Sequence, residues 1–347
     1  MLTGRQVIVA PGRSQRPGAR IADPPLSDPS DGNPFLEGNE HNTPGERLAL
    51  RRCESSANSP GWLVRVVPNQ FPAVGMENPR LAETNDDLTT SSAISGFHDV
   101  VIESPDSHRR LAELSAAQTA RIILAWQRRV LALEQQTAIQ SITVFRNEGF
   151  SAGASLPHVH SQILAMDSIP PQTADRLRTI ANFRQETGNN LLYELCNEEL
   201  VQEHRIVNAD DHCLVMCPFA GRVSWQVRII PRQTAFNSFS RCPESALVEV
   251  AASLHAAARA VDECAGPMPM NVLLILPPST NCTDGWFLEL MPRSAGIAGY
   301  ELATDIDIVT VAPETAAHAL RGAFCKTVPP RNEIIPPGYD WRNSSVS

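Results

Sequence analysis

The chain lacks any apolar run near the roughly 18 residues that a membrane-spanning helix needs, so no helical span is expected. Its opening lacks a basic stretch followed by an apolar core, so no secretory signal is read. It lacks a Cys-x-x-Cys pair. Cys53, Cys196, Cys213, Cys217, Cys242, Cys264, Cys282 and Cys325 are scattered, and Cys213 and Cys217 sit in an apolar run as core thiols. That pattern fits a reducing cytoplasm without a disulfide framework. Excess positive charge is also missing. A net charge of −9 argues against a general nucleic-acid binder. It leaves room for a small anionic substrate held by local arginines.

What is present is an ordinary globular composition: 347 residues, 42% hydrophobic and 19% charged, enough for one large or two ordinary domains. Its most informative stretch runs from Asn147 to Ala165. Gly149, Ser151, Ala152, Gly153, Ala154 and Ser155 form a loop of small residues, which lets backbone amides approach a bulky anion. Pro157 ends the loop and an extended segment follows. Side chains alternate along a strand, so His158, His160 and Gln162 are expected on one face, with Val159, Ile163 and Ala165 as packing positions. A neutral imidazole is a good nucleophile near neutral pH and can split one transfer into two. A bare His-x-His also suits a metal pair or two polar strand residues. The small-residue loop before it and the glutamine after it favour phosphorus chemistry.

The segment resembles the signature of galactose-1-phosphate uridylyltransferases, in the histidine triad superfamily: Asn-x-Gly-x-x-x-Gly-(Ala/Cys)-Ser-x-Pro-His-x-His-x-Gln. Asn147, Gly149, Gly153, Ala154, Ser155, Pro157, His158, His160 and Gln162 all fit it. The resemblance implies that His160 is the nucleophile and that Gln162 and Ser155 donate to the non-bridging phosphate oxygens. Asn147 and Gly153 would belong to the substrate loop. Near the start, Pro11-Gly12-Arg13-Ser14-Gln15-Arg16-Pro17 resembles a family block, which makes Arg13 and Arg16 phosphate clamps. Arg65 and Asn69 match a block that lies near the nucleotide.

The family also binds zinc, and here the pattern departs. Asn33 and Leu36 stand where two cysteines are usual, and Ser107 stands where a histidine is usual, with His108 displaced by one. Asparagine is a poor zinc ligand and leucine is none. His158 is then the one remaining family ligand, and zinc is expected to be weakly bound or absent.

The chain outside the motif reads as a duplication. Ser115 caps a helix with Gln118 completing a capping box, and Ile122, Ile123, Trp126, Val130 and Leu133 give it an apolar face. The order strand, strand, helix, strand, loop, strand is read twice, the second time from Leu214 to Met291. The expected fold is α+β: two histidine-triad-like units with antiparallel-rich sheets packed or joined edge to edge. Residues 1–173 form the catalytic half, 174–325 the second half, and 326–347 a loose tail. A single helical stretch, 174–200, is expected to connect the halves. Residues 18–60 are expected to be irregular.

The second half carries Phe287 where a histidine is usual, Ala303-Thr304-Asp305 for Gly-Thr-Gly, and Val309 for an asparagine. Chemistry is therefore expected in the first half. The function the resemblance implies is nucleotidyl transfer in galactose and carbohydrate metabolism. A UDP-glucose:hexose-1-phosphate uridylyltransferase would act through a uridylyl-histidine on a nucleotide sugar and a hexose 1-phosphate. The alternatives are an ADP-sugar phosphorylase and a weakened nucleotide-sugar-binding paralogue. A homodimer is a family expectation.

Overall fold

Along 141–148 every second side chain is fully buried, and the run alternates between two environments. Val144 and Arg146 face one side, Phe145 and Asn147 the other. The same alternation recurs in the paired strands and divides a large sheet into a helix-covered face and an opposite face. The structure is a computed structural model that describes residues 6–15, 32–52, 55–76, 88, 91–232, 237–278, 284–329 and 340–343.

The first half contains β2 (Leu48–Arg51), β3 (Trp62–Pro68), β4 (Gly96–Ile102), α1 (Ala116–Glu134), β5 (Ser141–Glu148) and β6 (His160–Met166). The second contains β7 (Ile206–Ala209), β8 (Cys213–Met216), β9 (Val227–Pro231), α4 (Glu244–Ala265), β10 (Met270–Ile275) and β11 (Phe287–Pro292). The repeat is thus three strands, a helix and two strands, one strand longer than the sequence suggests. β2 was hidden in the stretch expected to be irregular. β7 is equally short and lies at the sheet edge.

Both halves share one antiparallel sheet of eleven strands, ordered β13-β2-β3-β4-β6-β5-β10-β11-β9-β8-β7. Of the two arrangements expected, edge-to-edge joining is the one observed, through the β5–β10 pair, Asn147 opposite Asn271. The order of strands on the two sides of that seam mirrors, as a duplicated unit requires. The tail expected to be loose contains β13 (Asp340–Asn343), which pairs with β2. A separate parallel pair joins β1 (Val7–Val9) to β12 (Asp307–Val309).

One face of the sheet packs against α1, α4 and α6 (Pro313–Thr327). Ile163, Val144, Val272 and Leu288 meet Trp126, Leu247, Leu254 and Phe324 there in one continuous core. Fully burying such side chains contributes about 1.5–3 kcal/mol each. Ser115 caps α1 by accepting from the Gln118 N–H. The Gln118 side chain does not return the bond, as a capping box would. It turns inward and donates to the Leu63 and Glu103 carbonyls at 2.8 and 2.6 Å, tying the helix to β3 and the end of β4.

The other face is covered differently in each half. In the first, Phe35 packs on Trp62, Val67, Val100 and Ile102. In the second, two helices, α2 (Pro171–Thr187) and α3 (Leu191–Gln202), lay Ile180, Leu191, Leu192 and Cys196 on Leu214, Met216, Ile230 and Phe287. The connector expected as one helix is therefore two, broken at Gly188 in the left-handed region. Between the two covers, the centre of this face carries β6, β5 and β10.

Candidate active site

His160 opens β6 on the face away from α1 and is buried. Its neighbour Ser161 points to the other face and accepts a 2.7 Å hydrogen bond from the Trp126 indole N–H, which fixes the strand to α1. The His160 Nδ1 lies 2.7 Å from the His158 carbonyl oxygen. A carbonyl only accepts, so Nδ1 carries the proton and Nε2 keeps its lone pair. Burial lowers the His160 pKa; the bond to the His158 carbonyl opposes that shift, and the Arg146 cation reinforces it. The ring is therefore neutral near pH 7 and nucleophilic at Nε2.

His158 lies two residues before His160, just ahead of the strand's first residue. Its Nε2–H donates to the Ser104 carbonyl at 2.8 Å, and its Nδ1 accepts from the Asn33 amide at 2.9 Å. Burial pulls its pKa down to about 4. Phe35 sits against both imidazoles, 5.9 Å from His158 and 5.3 Å from His160 between ring centres.

Gln162 follows His160 on the same face. Its Oε1 accepts from His98 Nε2–H at 2.8 Å, while His98 Nδ1 accepts from the Ala73 backbone N–H at 3.0 Å. With its oxygen engaged, the amide presents N–H groups as donors, the polarity a phosphate oxygen requires. Asn69 lies 3.2 Å from His98 and joins the same cluster. Sequence reasoning missed His98. A polar ring in a strand otherwise rich in Val and Ile was the available signal.

The small-residue loop is anchored from the second half. Asn271 donates to Asn147 Oδ1 at 2.9 Å and to the Ala152 carbonyl at 2.8 Å, and accepts from Arg293 at 2.7 Å. Asn147 also reaches the Gly153 carbonyl at 3.4 Å. Gly153 has φ +92°, where a side chain is strained. Ser155 lies exposed on this loop. Neither Asn271 nor Arg293 was picked out from sequence, because their link to the loop exists only through the β5–β10 pairing. A cavity of about 550 Å³ opens beside Asn147, lined by Ala152, Asn271, Arg293, Arg222 and Ser224 among others. Continuing the β5–β6 register by one step sets Asn147, which lines this cavity, beside His160.

The remaining sequence candidates are dispersed. Arg65 is buried, bonded to Glu46 at 3.1 Å and Thr43 at 3.2 Å, and shares Glu46 with Arg51. Arg13 is exposed in the turn after β1, which pairs with β12 in the second half, and does not line the 550 Å³ cavity. Arg16 lies outside the described residues.

The residues around His158 do not fit a zinc ion. Its Nδ1 lone pair is taken by Asn33 and its Nε2 proton by Ser104. Leu36 offers no donor atom, and Ser107 is exposed. Among the described residues, no three His, Cys, Asp or Glu side chains are grouped to hold a metal.

The family model described as the galactose-1-phosphate uridyl transferase N-terminal domain matches residues 1–170, the half that carries this geometry. Residues 1–170 thus belong to the galactose-1-phosphate uridylyltransferase family. An ADP-glucose phosphorylase of Arabidopsis thaliana is 29% identical over 330 residues, covering 92% of this chain and 90% of that one. A galactose-1-phosphate uridylyltransferase of Haemophilus influenzae is 26% identical over 237 residues, covering 67% of this chain and 64% of that one. Among solved structures, an Arabidopsis thaliana ADP-glucose phosphorylase with bound ADP-glucose matches with a TM-score of 0.75 and 27% identity, over 92% of this chain and 96% of that one. A uridylyltransferase at 24% identity shares the fold with a TM-score of 0.73, over 88% of this chain and 95% of that one.

Proposed function

We propose that the protein is a hexose-1-phosphate uridylyltransferase, working through a nucleotidyl group carried on His160. The observation that carries this reading is the protonated Nδ1 held by the His158 carbonyl, which leaves the Nε2 lone pair for attack. Nε2 attacks the α-phosphorus of UDP-glucose. The N–P bond forms, the bond to the bridging oxygen breaks, and glucose 1-phosphate leaves. The ring becomes cationic as the bond forms, and the Nδ1–H···O=C bond to His158 strengthens at that moment. An incoming hexose 1-phosphate oxygen then takes the uridylyl group and restores the neutral ring. Phosphates are good leaving groups, so catalysis rests on positioning and charge stabilisation. Gln162 donates to a non-bridging oxygen, and Ser155 and the 149–155 loop amides serve the same charge. Asn147 and Gly153 shape the loop that meets the substrate, and Asn69 joins the His98 cluster behind Gln162.

A second reading keeps the covalent histidine and changes the substrates: an ADP-sugar phosphorylase in which inorganic phosphate accepts the nucleotidyl group. The Arabidopsis ADP-glucose phosphorylase, similar over nearly the whole chain, favours it.

Incubation with base-labelled UDP-glucose or ADP-glucose tests both readings. Label on the wild-type protein but not on His160→Ala is expected, and the labelled nucleotide decides the base. Release of that label by galactose 1-phosphate rather than by phosphate separates transferase from phosphorylase. A wild-type protein that binds the nucleotide sugar yet takes up no label is a binding paralogue, and the mechanism fails.

A further inference from the structure

The amide at position 33 stands where the family places a metal-binding thiolate, and its hydrogen bonds are fully specified. Asn33 is buried, with only 6% of its surface exposed. Its Oδ1 accepts from the Phe35 backbone N–H at 2.9 Å, so its Nδ2 must be the atom facing His158 Nδ1 at 2.9 Å. Its own carbonyl accepts from the Asn39 side chain at 2.8 Å, which holds the turn in place. On the far side of the ring, the Ser104 carbonyl accepts only, so His158 Nε2 carries the proton. Each polar atom has a partner of the right kind with both groups neutral.

We propose that Asn33 is a positioning residue for the phosphorus-transfer site: its amide holds His158 in the Nε2–H tautomer and its fixed orientation, in place of a metal ion. The consequence reaches His160 through the backbone. The carbonyl of His158 accepts from His160 Nδ1 at 2.7 Å, so the two bonds that anchor the His158 ring also restrain the residue whose backbone orients the nucleophile. Phe35, two residues after Asn33, packs on both imidazoles and completes the bracket. A metal at His158 Nδ1 would have to displace the Asn33 amide, and Leu36 has no donor atom to offer it. The same turn that elsewhere delivers two thiolates here delivers one N–H donor and one apolar side chain.

The catalytic part of this inference rests on His160 as nucleophile; the tautomer and the metal content do not. The test therefore has three arms. In the wild-type protein, long-range ¹H–¹⁵N spectra are expected to show His158 Nδ1 unprotonated and Nε2 protonated. In Asn33→Ala the Nδ1 signal is expected to shift and the ring to exchange between tautomers. Metal analysis of active protein is expected to find less than one zinc per chain, with activity and Tm unchanged after chelator treatment. Asn33→Ala and Asn33→Asp are expected to lower kcat by about 10- to 100-fold, the loss typical of removing a partner that orients a functional histidine, with KM changed far less.

A wild-type His158 protonated at Nδ1, or one zinc per chain whose removal abolishes activity, overturns the proposal. So does full kcat in a folded Asn33→Ala. If the wild-type protein is inert towards nucleotide sugars, the functional reading fails, and the spectra and metal analysis still decide the role of Asn33.

Discussion

Gln162 owes its direction to His98, which takes the amide oxygen and leaves the N–H groups for the phosphate oxygen of the proposed mechanism. Removing a transition-state donor of this kind costs about 100- to 1000-fold in kcat. Gln162→Ala is expected to show that loss. His98→Ala should cost roughly tenfold, because the amide survives but turns. The double variant should be no worse than Gln162→Ala, since two residues acting as a unit are not additive. Steady-state kinetics on the four proteins checks this; additive losses would separate the two roles.

Residue 158 carries a stability cost in acid. Its pKa falls from an ordinary 6.5 to about 4 in the folded protein. Stability linked to it is complete above about pH 6.5 and is lost as pH falls towards 4. The full shift corresponds to about 3 kcal/mol. Denaturant unfolding between pH 7 and pH 4 is expected to show a falling midpoint that His158→Gln flattens.

At the scale of elements, the close approach of β4 to β6 fixes the site's floor. A Cβ at Gly96 would overlap the Ala165 carbonyl, a backbone atom that cannot swing aside. Overpacking of this kind costs about 1–3 kcal/mol or more. Gly96→Ala is expected to lower thermal stability by that order and to reduce activity by shifting β4, which carries His98, against β6, which carries Gln162. A calorimetric scan showing an unchanged Tm would contradict it.

The sequence made the major elements legible because their patterns are strong. The apolar stripe of α1, the Ala-rich face of α4 and the alternating run of β5 each state their period, and β3 is long and rich in Val. β2 did not, since Leu48–Arg51 is buried at every position and ends in an arginine neutralised by Glu46. α2 and α3 merged in the reading because the break at Gly188 is a local backbone choice between two helical runs. At the site, His158, His160 and Gln162 were visible as a motif. His98, Asn271 and Arg293 were not, because contacts 64, 124 and 22 residues apart in sequence come from sheet register alone.

At the scale of the molecule, one sheet spans both halves, and the seam β5–β10 carries the Asn147–Asn271 contact that shapes the small-residue loop. The halves also share the helical core, where α1 packs on α4. Separated, each half would expose an unpaired strand edge and an apolar helix face, a combination that drives aggregation. Residues 1–173 expressed alone are expected to aggregate. Co-expression with 174–347 is expected to restore a soluble complex on size-exclusion chromatography. A soluble, active isolated first half would show the seam to be dispensable.

Phe287 occupies in β11 the place that His160 holds in β6, and α2 and α3 roof it with aliphatic side chains. A duplicated enzyme could in principle regain its second centre by one substitution. Here one substitution would not reproduce the first centre: Phe287→His would place the ring beneath aliphatic side chains and beside the Arg228 guanidinium, which lies 4.6 Å from the present phenyl and disfavours a protonated imidazole. The two halves of one sheet are thus dressed differently, an imidazole against Phe35 on one side and a phenyl under two helices on the other.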